Sequence, residues 1–347
     1  MASFISVSEA SKDTVPTRRP SDMQEIFRLV ALLVVLVCSI VGAWRYVLKL
    51  SPEVDLYTYA ARKKITLARK LDELGLSKIV ICGGSSCAFG VNTDVMQKAF
   101  DLPVVNFGMH AGMGAPVLAG LALKYTKPGD TLVVSLEPHL LFTPFDWPAL
   151  GDQISYALKE PELCEGGPLH LSRKGKLGIF LTMRPGAQNM LLFLPRELNH
   201  QGVIYPKSSF SPSGWQRFDG HIQPKPVTMP TTLSVDGQML LQKVVGYCVQ
   251  NNIRVAYAMP WLYCDGADLP HYKSIFSKYL YEVSKFIPVL RDPTLGIDTD
   301  PDDFGDGNNH LRPRGATRRG EQLARLILQW NTWDSKELAA HADTSEN

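Results

Sequence analysis

The chain has 347 residues, 45% of them hydrophobic and 20% charged, enough for one α/β domain of about 200–250 residues with additions but not for two full domains. Its 36 Lys and Arg nearly balance 34 Asp and Glu, for a formal net charge of +2. Both signs are scattered along the chain, so no basic field exists to hold nucleic acid, and no nucleic-acid partner is expected. The six cysteines (Cys38, Cys82, Cys87, Cys164, Cys248 and Cys264) form no CxxC pair and no Cys/His spacing of the zinc kind. No structural metal is therefore expected, and no cofactor is expected either. Cys38 and Cys82 fall in apolar runs and read as small buried hydrophobes. Cys164 and Cys264 are the candidates for a disulfide if the domain faces an oxidising compartment.

Residues 1–25, rich in Ser, Thr, Pro and charge, read as a flexible tail. Next, residues 29–44 run LVALLVVLVCSIVGAW without a charge, bounded by Arg28 and Arg45. With apolar flanks the segment spans 26–48, about the 20 residues that cross a bilayer as one helix. The arginines would snorkel to the two interfaces, and Trp44 and Tyr46 stand where interfacial aromatics gather. An uncleaved anchor is the preferred reading. Two others stay open: a cleaved signal peptide, with Val41 and Ala43 as a weak small-residue site, and a buried helix of a soluble fold. Basic residues lie on both sides (Arg18, Arg19 and Arg28 before; Arg45, Lys49, Arg62, Lys63 and Lys64 after), so charge leaves the orientation undecided.

Beyond the anchor the pattern predicts one α/β domain over 57–335, then a second tail over 336–347. Ile65, Leu67, Leu71 and Leu74 space a lead-in helix over Tyr57–Leu74. Four apolar runs have strand length: Lys78–Cys82, Pro103–Phe107, Thr131–Leu136 and Arg254–Met259, with Ile287–Leu290 as a candidate fifth. Helical patterns separate them at Asn92–Phe100, Ala115–Tyr125, Ser234–Asn251 and His271–Phe286, and Gly320–Trp330 closes the series. Such alternation predicts a mostly parallel sheet with helices on both faces. Residues 145–229 break the rhythm with Pro, Gly and aromatic residues and read as an insertion between the third and fourth strands. They would form either a lid or substrate platform at the carboxyl edge or a structural cover for the sheet.

Two motifs carry chemistry. Gly83-Gly84-Ser85-Ser86-Cys87-Ala88-Phe89-Gly90 follows the first strand, with a helix expected from about Asn92. A serine in such a turn can expose its hydroxyl at the sheet's carboxyl edge, beside helix N-terminal amides able to hold an oxyanion. Far downstream, Asp306-Gly-Asn-Asn-His310-Leu311 precedes the closing helix. A loop histidine held by a nearby aspartate suits a general base whose tautomer is fixed.

On these blocks the chain, over roughly residues 76–330, resembles the SGNH/GDSL hydrolase family, especially its membrane-attached branch of alginate O-acetylation and teichoic-acid D-alanine transfer proteins. Ile79 to Ser85 matches the family's strand followed by Gly-Asp-Ser, with Gly84 in place of the aspartate. Asn106-Phe107-Gly108 fits the second block, and Asp306 with His310 fits the last. The resemblance implies a three-layer, flavodoxin-like sandwich preceded by one transmembrane helix. It implies Ser85 as nucleophile with Ser86 as fallback, His310 as base and Asp306 as its orienter. The oxyanion hole would come from Ser85 and Gly108, with Asn106 as a candidate donor. It implies a serine O-acyl esterase or acyltransferase, acetyl being the expected group, acting on a cell-surface or exported polysaccharide. The domain would lie outside the cytoplasmic membrane, with a membrane-embedded acyltransferase as candidate partner. A non-catalytic component of an exopolysaccharide assembly or modification complex is the alternative. Two departures weigh on it. The Asp306–His310 gap is one residue longer than the family's DxxH, a spacing that Asp268 and His271 do have. The family's Gly-x-Asn-Asp block is replaced by Ser135-Leu-Glu137-Pro-His139.

Overall fold

The computed structural model describes residues 20–100, 102–145, 149–171, 205–220 and 223–330; the side chains of residues 20–22, 44 and 46–50 lie outside that description. So do most of both expected tails, the middle of the insertion, and the side chains of Trp44 and Tyr46.

Helix α1 runs from Pro20 to Leu50. Its stretch Met23–Ala43 has a mean hydropathy of 2.7 and is unburied by the rest of the chain, so this helix is long and apolar enough to cross a membrane. The helix takes up the last residues of the expected N-terminal tail, because nothing between Pro20 and Met23 breaks it. Cys38 is exposed on its surface, against the expectation of burial. After Ser51 alone, α2 (Pro52–Glu73) begins with proline in its first turn and acidic Glu53 and Asp55 near its N-terminus. Its buried stripe of Val54, Tyr57, Ala61, Lys64, Ala68 and Leu71 lies against the sheet side of the domain.

The sheet follows. Strand β1 (Ile79–Gly83) leads directly into α3 (Ser85–Gly90), then come α4 (Thr93–Met96), β2 (Val104–Asn106), α5 (Ala115–Lys124), β3 (Thr131–Ser135), α6 (Pro138–Phe142), α7 (Ala149–Leu158), α8 (Val235–Gln250) and β4 (Arg254–Tyr257). The spatial order is β2-β1-β3-β4, every pair parallel. The candidate fifth strand is reduced to one parallel bridge, Tyr257 to Val289, next to Pro288, which has no N–H to extend a ladder. Two short strands unseen in the sequence, β5 (Leu262–Tyr263) and β6 (Ile297–Asp298), pair beside it, with α9 (Leu269–Ser284) between them and α10 (Pro313–Trp330) closing the domain.

Alternate strand residues feed two cores. Val80, Cys82, Leu132 and Val134 point toward α2, α5, α8 and α9, while Ile79, Ile81 and Val133 meet Cys87, Met96 and the Leu323–Ile327 face of α10. The strands are buried on both faces, as expected of a parallel sheet covered by helices. All six cysteines are free, so Cys164 and Cys264, both buried, form no disulfide.

The order places a reversal between β1 and β3: from β1 the chain moves to β2 on one side, then crosses to β3 on the other. The carboxyl ends of strands flanking such a reversal diverge and leave a crevice. Gly84-Ser85 follows β1, and Glu137 follows β3.

Candidate active site

Ser85 opens α3 instead of lying in a loop ahead of a helix at Asn92. The early start has a cause in Glu137. Its Oε2 accepts from Gly84 N–H at 3.1 Å and its Oε1 from Ser86 N–H at 2.8 Å, satisfying amides that a helix N-terminus otherwise leaves without partners. A methyl group on Gly84 would overlap both carboxylate oxygens and lie 2.7 Å from Glu137 Cδ. Gly84, where the resemblance would have put an aspartate, and Glu137, in place of the expected third block, are therefore one arrangement: the carboxylate arrives from the end of β3, and only glycine at position 84 leaves room for it.

Ser85 is 6% exposed, and among the described residues its hydroxyl makes no hydrogen bond. Its own N–H is likewise unengaged among them, with Gly84 and Ser86 on either side tied to Glu137. Ser86 is 3% exposed, with a buried hydroxyl that has no partner among the described residues.

His310 and Asp306 come together. His310 Nδ1 lies 2.7 Å from Asp306 Oδ1, and the Tyr205 hydroxyl donates to Asp306 Oδ2. Burial pushes the Asp306 carboxyl up, but the hydrogen bonds from His310 and Tyr205 outweigh it and hold it below the ordinary carboxylate range. Burial and the Asp306 partner push the Tyr205 phenol up, so it stays a donor. With its Nδ1 proton given to Asp306, His310 keeps the Nε2 lone pair free for base chemistry. The longer spacing is accommodated by the backbone bond from Gly305 N–H to the His310 carbonyl, 2.7 Å, which closes the loop on itself.

The His310 ring packs against Phe89, centroids 4.8 Å apart. Phe89 stands four residues after Ser85, one helical turn on along the same face of α3. His310 and Ser85 are thus brought to the same short helix, although they share no hydrogen bond. Asp268 and His271 are both exposed at the start of α9 and are not bonded to each other among the described residues.

The remaining expected donors are spent. Asn106 Nδ2 gives both hydrogens to backbone carbonyls, Cys87 and Val91, each at 3.0 Å. Asn106 Oδ1 accepts the Gly108 N–H at 2.7 Å. Neither supplies a free donor for an oxyanion in this arrangement; their work is to fasten β2 to α3. Gly108 is glycine for close approach, since an added Cβ would sit 2.7 Å from the Cys87 carbonyl carbon. Its carbonyl accepts from Lys64, a fully buried lysine that desolvation pushes down to about 7.

The insertion reaches the site. Trp215 Nε1 donates to the Phe89 carbonyl at 2.9 Å, and Gln216 N–H to that of Ala88 at 2.9 Å. Phe218 meets both Tyr205 and Phe89 edge-on. Reasoning from sequence missed Glu137, Tyr205 and His110, which follows β2. His110 Nδ1 accepts the Gly112 N–H at 2.9 Å, and its ring lies 5.1 Å from that of Tyr57. Burial lowers the His110 pKa and outweighs the upward pull of Glu53. Among the described residues no group of three or more His, Cys, Asp or Glu is arranged to hold a metal.

No protein-family model matches the chain, and no characterised protein or solved structure matches it.

Proposed function

We propose that this chain is a membrane-anchored serine O-acyl esterase or acyltransferase of the SGNH type, with its domain outside the cytoplasmic membrane and a cell-surface or exported polysaccharide as substrate. The observation that carries the reading is the 2.7 Å His310–Asp306 pair packed on the helix that Ser85 begins. Ser85 Oγ attacks the ester carbonyl carbon while His310 Nε2 takes the hydroxyl proton. Collapse of the tetrahedral intermediate breaks the bond to the alcohol oxygen, which leaves with the proton from His310. Water or a sugar hydroxyl then attacks acyl-Ser85 by the same steps in reverse, with His310 again as base. Polysaccharide as the acceptor and acetyl as the group rest on the resemblance of the motifs. The external side follows from that substrate, which a domain inside the cell would not meet.

The spent donors of Asn106 and Gly108 favour a second reading, an SGNH-like component of an exopolysaccharide complex that binds glycan without catalysis. A fluorophosphonate probe on the full-length, detergent-solubilised protein separates the two. The enzyme reading expects labelling that disappears in both Ser85→Ala and His310→Ala. Absence of labelling on the folded wild-type chain leaves the binding reading.

A further inference from the structure

The proposed reaction creates an oxyanion next to Ser85, yet Asn106 and Gly108 have no donor left to meet it, and Glu137 holds the amides of Gly84 and Ser86. Resting on that functional reading, we infer that His110 is a catalytic residue: its imidazole N–H stabilises the tetrahedral oxyanion in place of an asparagine amide.

Three observations lead to His110. The first is register. Ile79 pairs with Val104 and Ile81 with Asn106, and the pairing continues past the strands through Phe107 N–H to the Ile81 carbonyl, 2.8 Å, and Met109 N–H to the Gly83 carbonyl, 3.1 Å. The residue after Met109, His110, is thereby brought to the turn Gly84-Ser85 at which α3 begins.

The second is the tautomer. Nδ1 accepts from Gly112 N–H, so the neutral ring must carry its proton on Nε2. The ring is held in place by that bond and by Tyr57 at 5.1 Å, tilted 52°. Its burial favours this neutral form, against the pull of Glu53. A neutral imidazole is a suitable electrophile here: it donates a hydrogen bond to the developing alkoxide without surrendering a proton to it.

The third is company. Gly83, whose carbonyl takes the Met109 N–H, is separated from Ser85 by Gly84 alone, so His110 follows directly on a residue bonded to the turn that Ser85 ends. In the step itself, the π pair of the ester carbonyl moves onto its oxygen as Ser85 Oγ bonds to carbon. That oxygen then receives hydrogen bonds from His110 Nε2–H and Ser85 N–H, while the serine proton goes to His310. On collapse the electron pair returns to re-form the carbonyl, and His110 keeps its proton throughout. The two histidines thus divide the work, His310 moving the proton and His110 holding the charge.

The test uses full-length protein in detergent with two readouts: turnover of p-nitrophenyl acetate and the rate of Ser85 phosphonylation by a fluorophosphonate, in which a developing P–O⁻ needs the same donor. His110→Ala is expected to lower kcat by about 10²–10³-fold with KM almost unchanged, the signature of a donor used only in the transition state. Phosphonylation should slow in parallel. His110→Gln, which keeps an N–H, should recover at least about tenfold of the loss. Should His110→Ala fail to fold by near-UV circular dichroism, His110→Phe carries the same test, since it keeps an aromatic ring against Tyr57 but has no N–H. Wild-type rates in a folded donor-less variant, with Ser85→Ala still abolishing labelling, overturn the inference and leave the serine-enzyme reading intact. An unlabelled, inactive wild-type protein overturns both.

Discussion

Gly84 and Glu137 should behave as one unit, which a double-mutant cycle can measure. In Glu137→Ala the Gly84 and Ser86 amides lose their acceptor. Hydrogen bonds to a charged group contribute about 1.5–3 kcal/mol each, so the two together should cost about 3–6 kcal/mol. Gly84→Ala reaches the same state from the other side. The atoms its methyl group would overlap are the far end of the Glu137 side chain, which can swing away, and the cost is then the two bonds and not a rigid clash. The double variant, with no carboxylate left to displace, should cost little more than either single one. The interaction energy in the cycle is therefore nearly as large as one single-variant loss. Urea unfolding of the detergent-solubilised protein, followed by circular dichroism, gives all four corners. Additive losses, or a neutral Gly84→Ala beside a costly Glu137→Ala, would refute the coupling and with it the account of why the glycine stands there.

Tyr205→Phe removes one of the two side-chain hydrogen bonds on Asp306; an unfolding loss of about 1–2 kcal/mol near pH 7 is expected. Because the Asp306 pKa is depressed in the folded state, its contribution is present above the unfolded value and lost as pH falls through the folded one, so the difference between Tyr205→Phe and wild type should shrink in strong acid. Lys64 is pushed down to about 7 from an ordinary 10.5. Between those values the unfolded chain holds a proton that the folded one lacks, so stability should rise with pH across that window, the cost of burying the charge being fully present below about 7. In Lys64→Met this part of the rise should vanish, read as the difference in urea midpoint between pH 6 and pH 9; an unchanged slope would show that Lys64 does not titrate there. Asp306→Ala should reduce phosphonylation less than His310→Ala, since His310 keeps its ring packing on Phe89 when its carboxylate partner is gone.

The four sheet strands were legible because Val and Ile runs between turn residues fix a fully buried strand whatever its neighbours do, and each lies within one or two residues of its apolar run. Strands β5 and β6, two residues long, are too short to carry any period. Of the residues expected to space the lead-in helix, Ile65 and Leu71 are buried and Leu67 packs partly buried against the core, but Leu74, just past α2, is 61% exposed, while Ala60, Ala61 and Ala68 are fully buried, because small side chains let the helix come close to the sheet. The local motifs around Ser85 and His310 could be read since each is contiguous. Glu137 and Tyr205 could not, as each acts on a residue far from it in sequence, at positions 84 and 306. His110 was within reach of arithmetic: aligning the first two strand runs carries the pairing on to the Met109 N–H and the Gly83 carbonyl, one residue before His110.

The join between α1 and α2 has its own consequence. Only Ser51 separates the two helices, and α1 also packs against α7. The seven helical residues from Trp44 to Leu50 add about 10 Å beyond the apolar span, and Tyr57, which touches the site through His110, comes within the next two turns. With Met23–Ala43 in a bilayer, the domain has a stem in place of a tether. The Ser85 edge of the sheet would then stand at a set height and sample a thin shell instead of a hemisphere. Turnover in vesicles would follow how crowded the acceptor is within that shell, so spreading the same protein and acceptor over more lipid would slow the reaction even at constant bulk concentration.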